Sequence, residues 1–340
     1  MRSTRAINIG QTVRTSDWWE FKLSPIFAVI YATAFILKVP IISLWPLLLL
    51  VLVALVPGAA YVSVINDLTD LEDDLASGKH NRLIGRSGAF IKVVLVSCIL
   101  LGIAVAFYWH DDLLLLSLYL AAWIAFSLYS IPPVRLKARG FLGLVADASG
   151  AHLFPTLLVV SLVYRWRAEP IDLLWFGAAA TWSLSFGLRG ILWHQLSDSH
   201  NDEKIDLRTF ARTRTLAQLR RVGNYVIFPI EIAAFAIMLA RLGSYVCISF
   251  LFFYALLEWS RHAIWKMNLV VVVPKDRANI LMLEYYEFFF PIALLLSAAS
   301  RYPPDLVMAV VHLIFFPTRA AQAVKDILKL LKQGIRCVVP

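Results

Sequence analysis

The sequence predicts an all-α fold, a multi-pass transmembrane helical bundle of about nine helices. Three observations carry that expectation. Sixty per cent of the 340 residues are hydrophobic, only 16% are charged, and the mean hydropathy is +0.71. A water-soluble globule keeps about a quarter of its residues charged to wet its surface, so much of this chain must face lipid. The apolar residues also fall into runs of about 20, the length a helix needs to cross about 30 Å of hydrocarbon. Such runs are too long for the roughly ten-residue alternating strands of a barrel. Helices and closed barrels are the only structures that satisfy their own backbone in lipid.

Taken in order, the spans fall near 24–41, 43–65, 90–109, 112–131, 143–164, 171–192, 222–242, 244–260 and 282–299. No internal repeat or linker-like stretch interrupts them. The chain therefore divides into an N-terminal cytoplasmic segment (1–23), a nine-helix transmembrane domain (24–300) and a C-terminal segment (301–340). That last part is interfacial or re-entrant, with a basic tail of Arg319, Lys325, Lys329, Lys332 and Arg336. Its apolar stretch from Asp305 to Phe316 is short for an ordinary span. Outside Arg189, near the end of the sixth span, the spans read as almost free of charge.

Orientation follows from the basic residues. The N-terminus and the gaps after spans two, four, six and eight hold 20 of the 32 lysines and arginines. The other gaps hold Lys38, Arg165, Arg167 and Arg241. Basic residues accumulate on the cytoplasmic side, so the even-numbered loops are expected there. On so apolar a chain, the net charge of +9 points to these loops and the lipid bilayer, with no nucleic acid as partner. Trp18, Trp19, Trp193 and Trp265 near one boundary, and Trp45, Trp109, Trp166 and Trp175 near the other, fit interfacial belts. Cys98, Cys247 and Cys337 are odd in number and far apart, which speaks against a disulfide framework or zinc site. The stretch Met1–Lys22 is polar and basic, so no removable signal peptide is expected.

The polar clusters all fall in the cytoplasmic loops. After the second span comes Asn66-Asp67-Leu68-Thr69-Asp70-Leu71-Glu72-Asp73-Asp74. Asn66, Asp70 and Asp74 are four apart and share a helical face, with Asp67 three before Asp70 on the same side. Like charges so placed repel unless a cation lies between them. Mg²⁺ takes one or two carboxylates and completes its octahedron with water and phosphate oxygens. A solvated acidic loop is the other reading of such a run.

The second cluster follows the sixth span: His194-Gln195-Leu196-Ser197-Asp198-Ser199-His200-Asn201-Asp202, then Asp206. Asp198, Asp202 and Asp206 again recur every fourth residue. His194 and His200 suggest either a transition-metal site or hydrogen bonding at a helix end. Lys79, Arg82, Arg86, Arg135, Lys137, Arg139, Lys204 and Arg208 lie close by. They serve membrane topology, or meet the charge that a diphosphate keeps when Mg²⁺ holds it. Arg189 is a functional candidate by its depth or a snorkelling residue. A third element, Tyr129-Ser130-Ile131-Pro132-Pro133-Val134-Arg135-Leu136-Lys137, ends the fourth span abruptly at a double proline.

Together these motifs resemble the UbiA superfamily of intramembrane prenyltransferases. The family's NDxxDxxxD is matched at Asn66, Asp67, Asp70 and Asp74, and its DxxxD at Asp198 and Asp202. Its YSxPPxRxK is matched at Tyr129, Ser130, Pro132, Pro133, Arg135 and Lys137. The order agrees, each motif follows an even-numbered span, and the resemblance covers residues 20–300.

The resemblance implies an isoprenyl diphosphate donor bound through Mg²⁺ at the cytoplasmic end, with its tail in an apolar groove. It also implies a lipophilic or aromatic acceptor. The metal shell is then expected at Asn66, Asp70, Asp74, Asp198 and Asp202. Substrate contacts are expected at Lys79, Arg82, Ser130, Arg135, Lys137 and Arg208, and catalytic roles at Asp67, Asp70, Asp198 and Tyr129. Some members carry paired Asn before the second motif and Gly-Lys-Arg-Thr after it. This chain has His194-Gln195 and Asp206-Leu207-Arg208-Thr209 instead, and no signature for any one acceptor. A terpene cyclase, whose substrate traps its own cation, stays open. A cation transporter fits less well, since transport sites place ionisable groups near mid-bilayer.

Overall fold

The computed structural model describes residues 9–338, with side chains up to Gln333. Residues 1–8 of the expected N-terminal segment, and the Arg336 and Cys337 side chains, lie outside the described residues. The helices in chain order are α1 (Thr15–Ile36), α2 (Ile41–Thr69), α3 (Leu71–Ser77), α4 (Gly88–Tyr108), α5 (Leu113–Ser130) and α6 (Phe141–Arg167). They continue as α7 (Leu173–Lys204), α8 (Leu216–Leu242), α9 (Tyr245–Trp265), α10 (Phe290–Arg301), α11 (Leu306–Phe315) and α12 (Pro317–Val338). By length and composition six are able to cross a membrane: α1, α2, α4, α5, α6 and α8. The protein is an integral membrane protein of all-α class. A short parallel ribbon, Asn268–Val270 with Ala278–Ile280, lies in the α9–α10 connection, and a single parallel bridge joins Gly140 to Thr209.

Polar residues at the water boundary start the helices. Ser87, Asp112, Asp172 and Ser244 accept hydrogen bonds from backbone N–H groups of the first turns of α4, α5, α7 and α9, and Thr215 with Gln218 forms a capping box on α8. Each contact satisfies donors that a helix start leaves free. Four helices share a second device. A π turn, at Trp19–Leu23, Ser149–Leu153, Gly223–Ile227 and Tyr285–Phe289, immediately precedes a stretch with proline at its second position: Pro25, Pro155, Pro229 and Pro291. Proline donates no N–H and crowds the preceding turn, which widens to accept it.

Burial separates the lipid face from the interior. On α4, Val93, Leu100, Ile103 and Phe107 are all well exposed, Phe107 at 72%, as suits a helix bathed in hydrocarbon. The interior packs through small residues as well as large ones. A Cβ on Gly102 of α4 would stand 2.7 Å from the Trp123 ring, and one on Gly150 would stand 2.9 Å from Phe126. Glycine lets these helices approach where lipid supplies little hydrophobic drive between them.

The structure corrects the expectation that the spans carry almost no charge. Glu231 on α8 is fully buried and takes a bidentate pair from Arg189 on α7, at 2.8 and 2.7 Å. Glu258 on α9, Glu284 and Asp326 surround Arg261, which is 1% exposed, and Glu287 pairs with Arg319. Helix α1 also starts at Thr15, inside the stretch set apart as extramembrane.

The C-terminal segment packs beside α1. Asp305 accepts hydrogen bonds from the N–H groups of Ile41 and Ile42, at the head of α2. Ten residues later the Phe315 carbonyl takes the Trp19 indole N–H at 2.7 Å, beside the head of α1. Helix α11 therefore runs back alongside α1, where His312 meets Tyr31 and Ser24. The chain then bends by 90° into α12.

Candidate active site

Both acidic clusters and the double-proline element line one polar cavity of about 110 Å³ at the end of the bundle where α2 finishes. From the end of α2 and from α3 come Asn66, Asp70, Asp73 and Asp74. From α7 come His194, Asp198, Asn201 and Asp202. Tyr129 enters from α5, Arg135 and Lys137 from the loop after it, and Lys79 from the loop after α3. The four-residue spacing works as expected on α7, which runs unbroken to Lys204. On the first cluster the helix breaks at Asp70, yet the Asp70 N–H still reaches Asn66 and the Asp74 N–H reaches Asp70, so the helical face carries through.

Cations hold the carboxylates apart. Arg135 reaches Asp70 at 2.8 Å and Asp73 at 2.5 Å, and Lys137 also bonds Asp70. Lys79 crosses the cavity to Asp198 at 2.8 Å, linking the first cluster to the second. Lys204 adds a bond to the Ser77 carbonyl, tying α7 to α3. Arg135 stands in left-handed backbone, φ 36°, which non-glycine residues adopt at a cost that surrounding contacts must meet.

The electrostatics follow from this crowding. Burial, reinforced by neighbouring Asp198, pushes Asp202 up to about 6, since two close carboxylates resist ionising together. Burial lowers Lys137 below the usual lysine range, only partly offset by Asp70. Burial also opposes the charge on Lys79, but the bond to Asp198 outweighs it and holds the ammonium above its ordinary value.

Four expected site residues lie outside this lining. Asp67 is buried and points to Arg14, 3.4 Å away. Arg82 bonds Asp17 at 3.1 Å, so both belong to a charge chain that holds the N-terminal arm. The Ser130 hydroxyl donates to Asn66 Oδ1 at 3.3 Å and acts behind it. Arg208 is exposed to one side. His200 likewise stands outside the lining, so the two histidines do not converge. Among the described residues no group of three His, Cys, Asp or Glu side chains is drawn together as a metal cage; the carboxylates here meet lysine and arginine instead.

Other residues escaped the sequence reading. Asn81 Nδ2 donates to Asp74 at 2.8 Å and to the Asp67 carbonyl at 2.7 Å, fixing the loop that carries Lys79. Thr209 reaches Asp202 at 3.4 Å. The amide of Gln195 accepts the Ala211 N–H at 3.2 Å. A lone Asn or Thr outside a spaced motif offers no signal in sequence.

A second, apolar cavity of about 120 Å³ lies between α1, α2, α5 and α6. Small residues hollow it out: Ala54, Gly58, Ala59, Ala122, Gly150 and Ala151. Trp18, Tyr119, Trp123 and Phe126 wall it. Ser63 and Phe126 line the apolar cavity, and Asn66 and Tyr129 line the polar one. Residues three apart on a helix lie one above the other, about 4.5 Å along the axis. The two cavities are thus stacked along α2 and α5.

This fold has known counterparts. The chain is similar to a UbiA homologue from Archaeoglobus fulgidus bound to GPP and Mg²⁺, with 14% identity over 92% of this chain and 99% of that one, at a TM-score of 0.51. The structure of a UbiA homologue from the same organism bound to DMAPP and Mg²⁺ matches with 16% identity over 86% of this chain and 98% of that one, at a TM-score of 0.52. No protein-family model matches the sequence, and comparison with curated protein sequences returns no significant match. The chain has the fold of these UbiA homologues.

Proposed function

We propose that the protein is a UbiA-superfamily, Mg²⁺-dependent intramembrane prenyltransferase that moves an isoprenyl group from its diphosphate to a lipophilic or aromatic acceptor. The observation that carries this reading is the stacking of the two cavities. A prenyl diphosphate is a dianionic or trianionic head on a hydrocarbon tail; a polar cavity with Lys79, Arg135 and Lys137 and a surplus of carboxylates for Mg²⁺, stacked on an apolar one, offers both halves a place. The similar A. fulgidus proteins bind GPP or DMAPP together with Mg²⁺, which supports the same ligands here. The weight of basic residues on the even-numbered loops supports a cytoplasmic site.

The donor set fits Mg²⁺. Asp70, Asp74, Asp198 and Asp202, with the Asn66 amide oxygen, present hard oxygen ligands from two sides of one cavity, the chemistry this ion selects. When bound, Mg²⁺ neutralises diphosphate charge and so makes it a better leaving group. Arg135, Lys137 and Lys79 are placed to exchange their carboxylate partners for phosphate oxygens. In the reaction the allylic C–O bond breaks and its electron pair leaves with the diphosphate, where those cations stabilise it. The acceptor then supplies the electron pair for the new bond and sheds a proton. Trp123 and Phe126 wall the carbon side and Tyr129 stands at the polar side; aromatic faces favour a cation, and an apolar chamber would limit the water that quenches it. Asp67 and Arg82 act at one remove through Arg14 and Asp17.

The test is diphosphate release by the purified protein in detergent with Mg²⁺ and prenyl diphosphates of several lengths, with and without a lipid extract. Release that requires the extract, with a product heavier than an extract lipid by one prenyl unit, is expected. Release without extract, giving a hydrocarbon or terpene alcohol, would move the assignment to a cyclase. No release with any donor would remove it.

A further inference from the structure

Helix α12 has three faces, and only one belongs to the protein. Arg319, Ala323, Asp326, Ile327 and Leu330, spaced three and four apart, turn inward. Asp326 bonds Arg261 at 2.8 Å, and Thr318 is held through Glu20 at its N–H. The Trp265 indole donates to Gln333 at 2.8 Å. These contacts lay the helix across the polar end of the bundle, perpendicular to α11.

The other two faces are exposed. Val324, Leu328 and Leu331 form a stripe exposed at 53, 52 and 58%. Beside it, on the same i, i+4, i+7 spacing, Lys325, Lys329 and Lys332 form a second exposed stripe. No acidic side chain of α12 faces them, because its one carboxylate, Asp326, is turned inward. A helix in water would not set an aliphatic stripe beside a lysine stripe with neither covered. A bilayer surface covers both, as acyl chains take the leucines and headgroups take the lysines. Trp265, a residue type that favours this boundary, lies next to Lys329, whose ammonium stands 5.9 Å from its ring.

We infer that α12 is an in-plane membrane helix whose Lys325–Lys329–Lys332 stripe binds anionic phospholipid headgroups of the leaflet on the polar side. The inference does not depend on the chemistry of the cavity. Its occupant is a lipid surface because only that supplies an apolar layer and negative charge at adjoining depths. Each lysine near an anionic surface contributes about 1 kcal/mol, so three together favour anionic over neutral lipid by roughly a hundredfold.

The experiment uses the full-length protein. Native mass spectrometry from detergent, with phosphatidylglycerol or phosphatidylcholine titrated in, reads the ratio of their affinities. At least a tenfold preference for phosphatidylglycerol is expected, falling below twofold in the K325Q/K329Q/K332Q variant, with inorganic phosphate failing to displace the lipid. Absence of a preference, or a preference that survives the triple variant, overturns the inference, and displacement by phosphate reassigns the stripe to a free anion. In liposomes, nitroxide labels at L328C and K329C should differ, the first open to dissolved oxygen and the second to a polar nickel chelate. Equal access of the chelate to both would place α12 off the bilayer and overturn the inference independently of folding.

Discussion

Two regions of this protein join arginine to carboxylate, and they do so in opposite styles. Around Arg189 and Arg261 the pairs are sealed: Arg189 is 2% exposed and Glu231 wholly buried. Arg189 also donates to the Val271 and Leu281 carbonyls. In the polar cavity the pairs are open. The Lys79 and Asp198 side chains are 38% and 45% exposed, and Arg135 shares itself between Asp70 and Asp73. Carboxylates outnumber the cations among them, and all face one void. A sealed pair fixes helices in place, whereas an open surplus of charge around a void can exchange partners for a ligand. Counting charges would rank the two regions alike. Exposure and the shared cavity separate them.

Substitutions should therefore split cleanly between the regions. The largest effect is expected for Asp70→Ala and Asp198→Ala, which should lower Mg²⁺-dependent diphosphate release by about a thousandfold with the yield of folded protein unchanged. Wild-type turnover in either would remove the cavity from the chemistry. Glu231→Ala should do the reverse. Leaving Arg189 buried and unpaired costs about 3–5 kcal/mol, seen as a lower unfolding temperature in detergent, while turnover per folded molecule is preserved. If Glu231→Ala unfolds no earlier than wild type, the sealed region is not structural.

Finer substitutions sharpen the contrast. Lys137→Ala should weaken donor binding by roughly tenfold to a hundredfold, the range for a bond to a charged group, and leave acceptor affinity alone; isothermal titration with a non-reacting donor reads this directly. The smallest effect is on pH. Asp202 is raised in the folded protein, from 3.8 to about 6, so cation-free protein should lose stability as pH rises through that interval. Mg²⁺ needs the ionised form, so its stabilising effect should grow over the same interval and be about tenfold weaker in affinity at pH 5 than at neutrality. Thermal unfolding with and without Mg²⁺ at several pH values checks both slopes, and parallel curves would show that Asp202 is no ligand.

The contrast also explains what was legible in sequence. Six of the nine expected spans are helices long and apolar enough to cross a membrane, and they showed because apolar runs of about twenty residues are what such a helix needs. The cavity motifs showed because Asn66, Asp70 and Asp74, and Asp198 and Asp202, repeat at a helical period. Glu231 and Glu258 were passed over because one acid hardly dents the average of an apolar run, and its partner comes from another helix. Helix α11 was left open because ten residues fall short of a span by length, and its course beside α1, between Asp305 and Phe315, is set by tertiary contact. The proline-linked π turns recur in four helices, but their shared geometry rests on a single residue each and makes no visible repeat. Asn81 illustrates the rest, since its place behind Asp74 is a matter of tertiary contact alone.

The most direct measurement is equilibrium binding of a non-reacting prenyl thiodiphosphate to the purified protein, with and without Mg²⁺. Wild type and Glu231→Gln should bind it saturably and only with Mg²⁺, and the Asp70→Ala/Asp198→Ala double variant should not bind it while remaining folded. Binding that ignores Mg²⁺, or that survives in the double variant, would contradict the assignment of the paired cavities to a prenyl diphosphate.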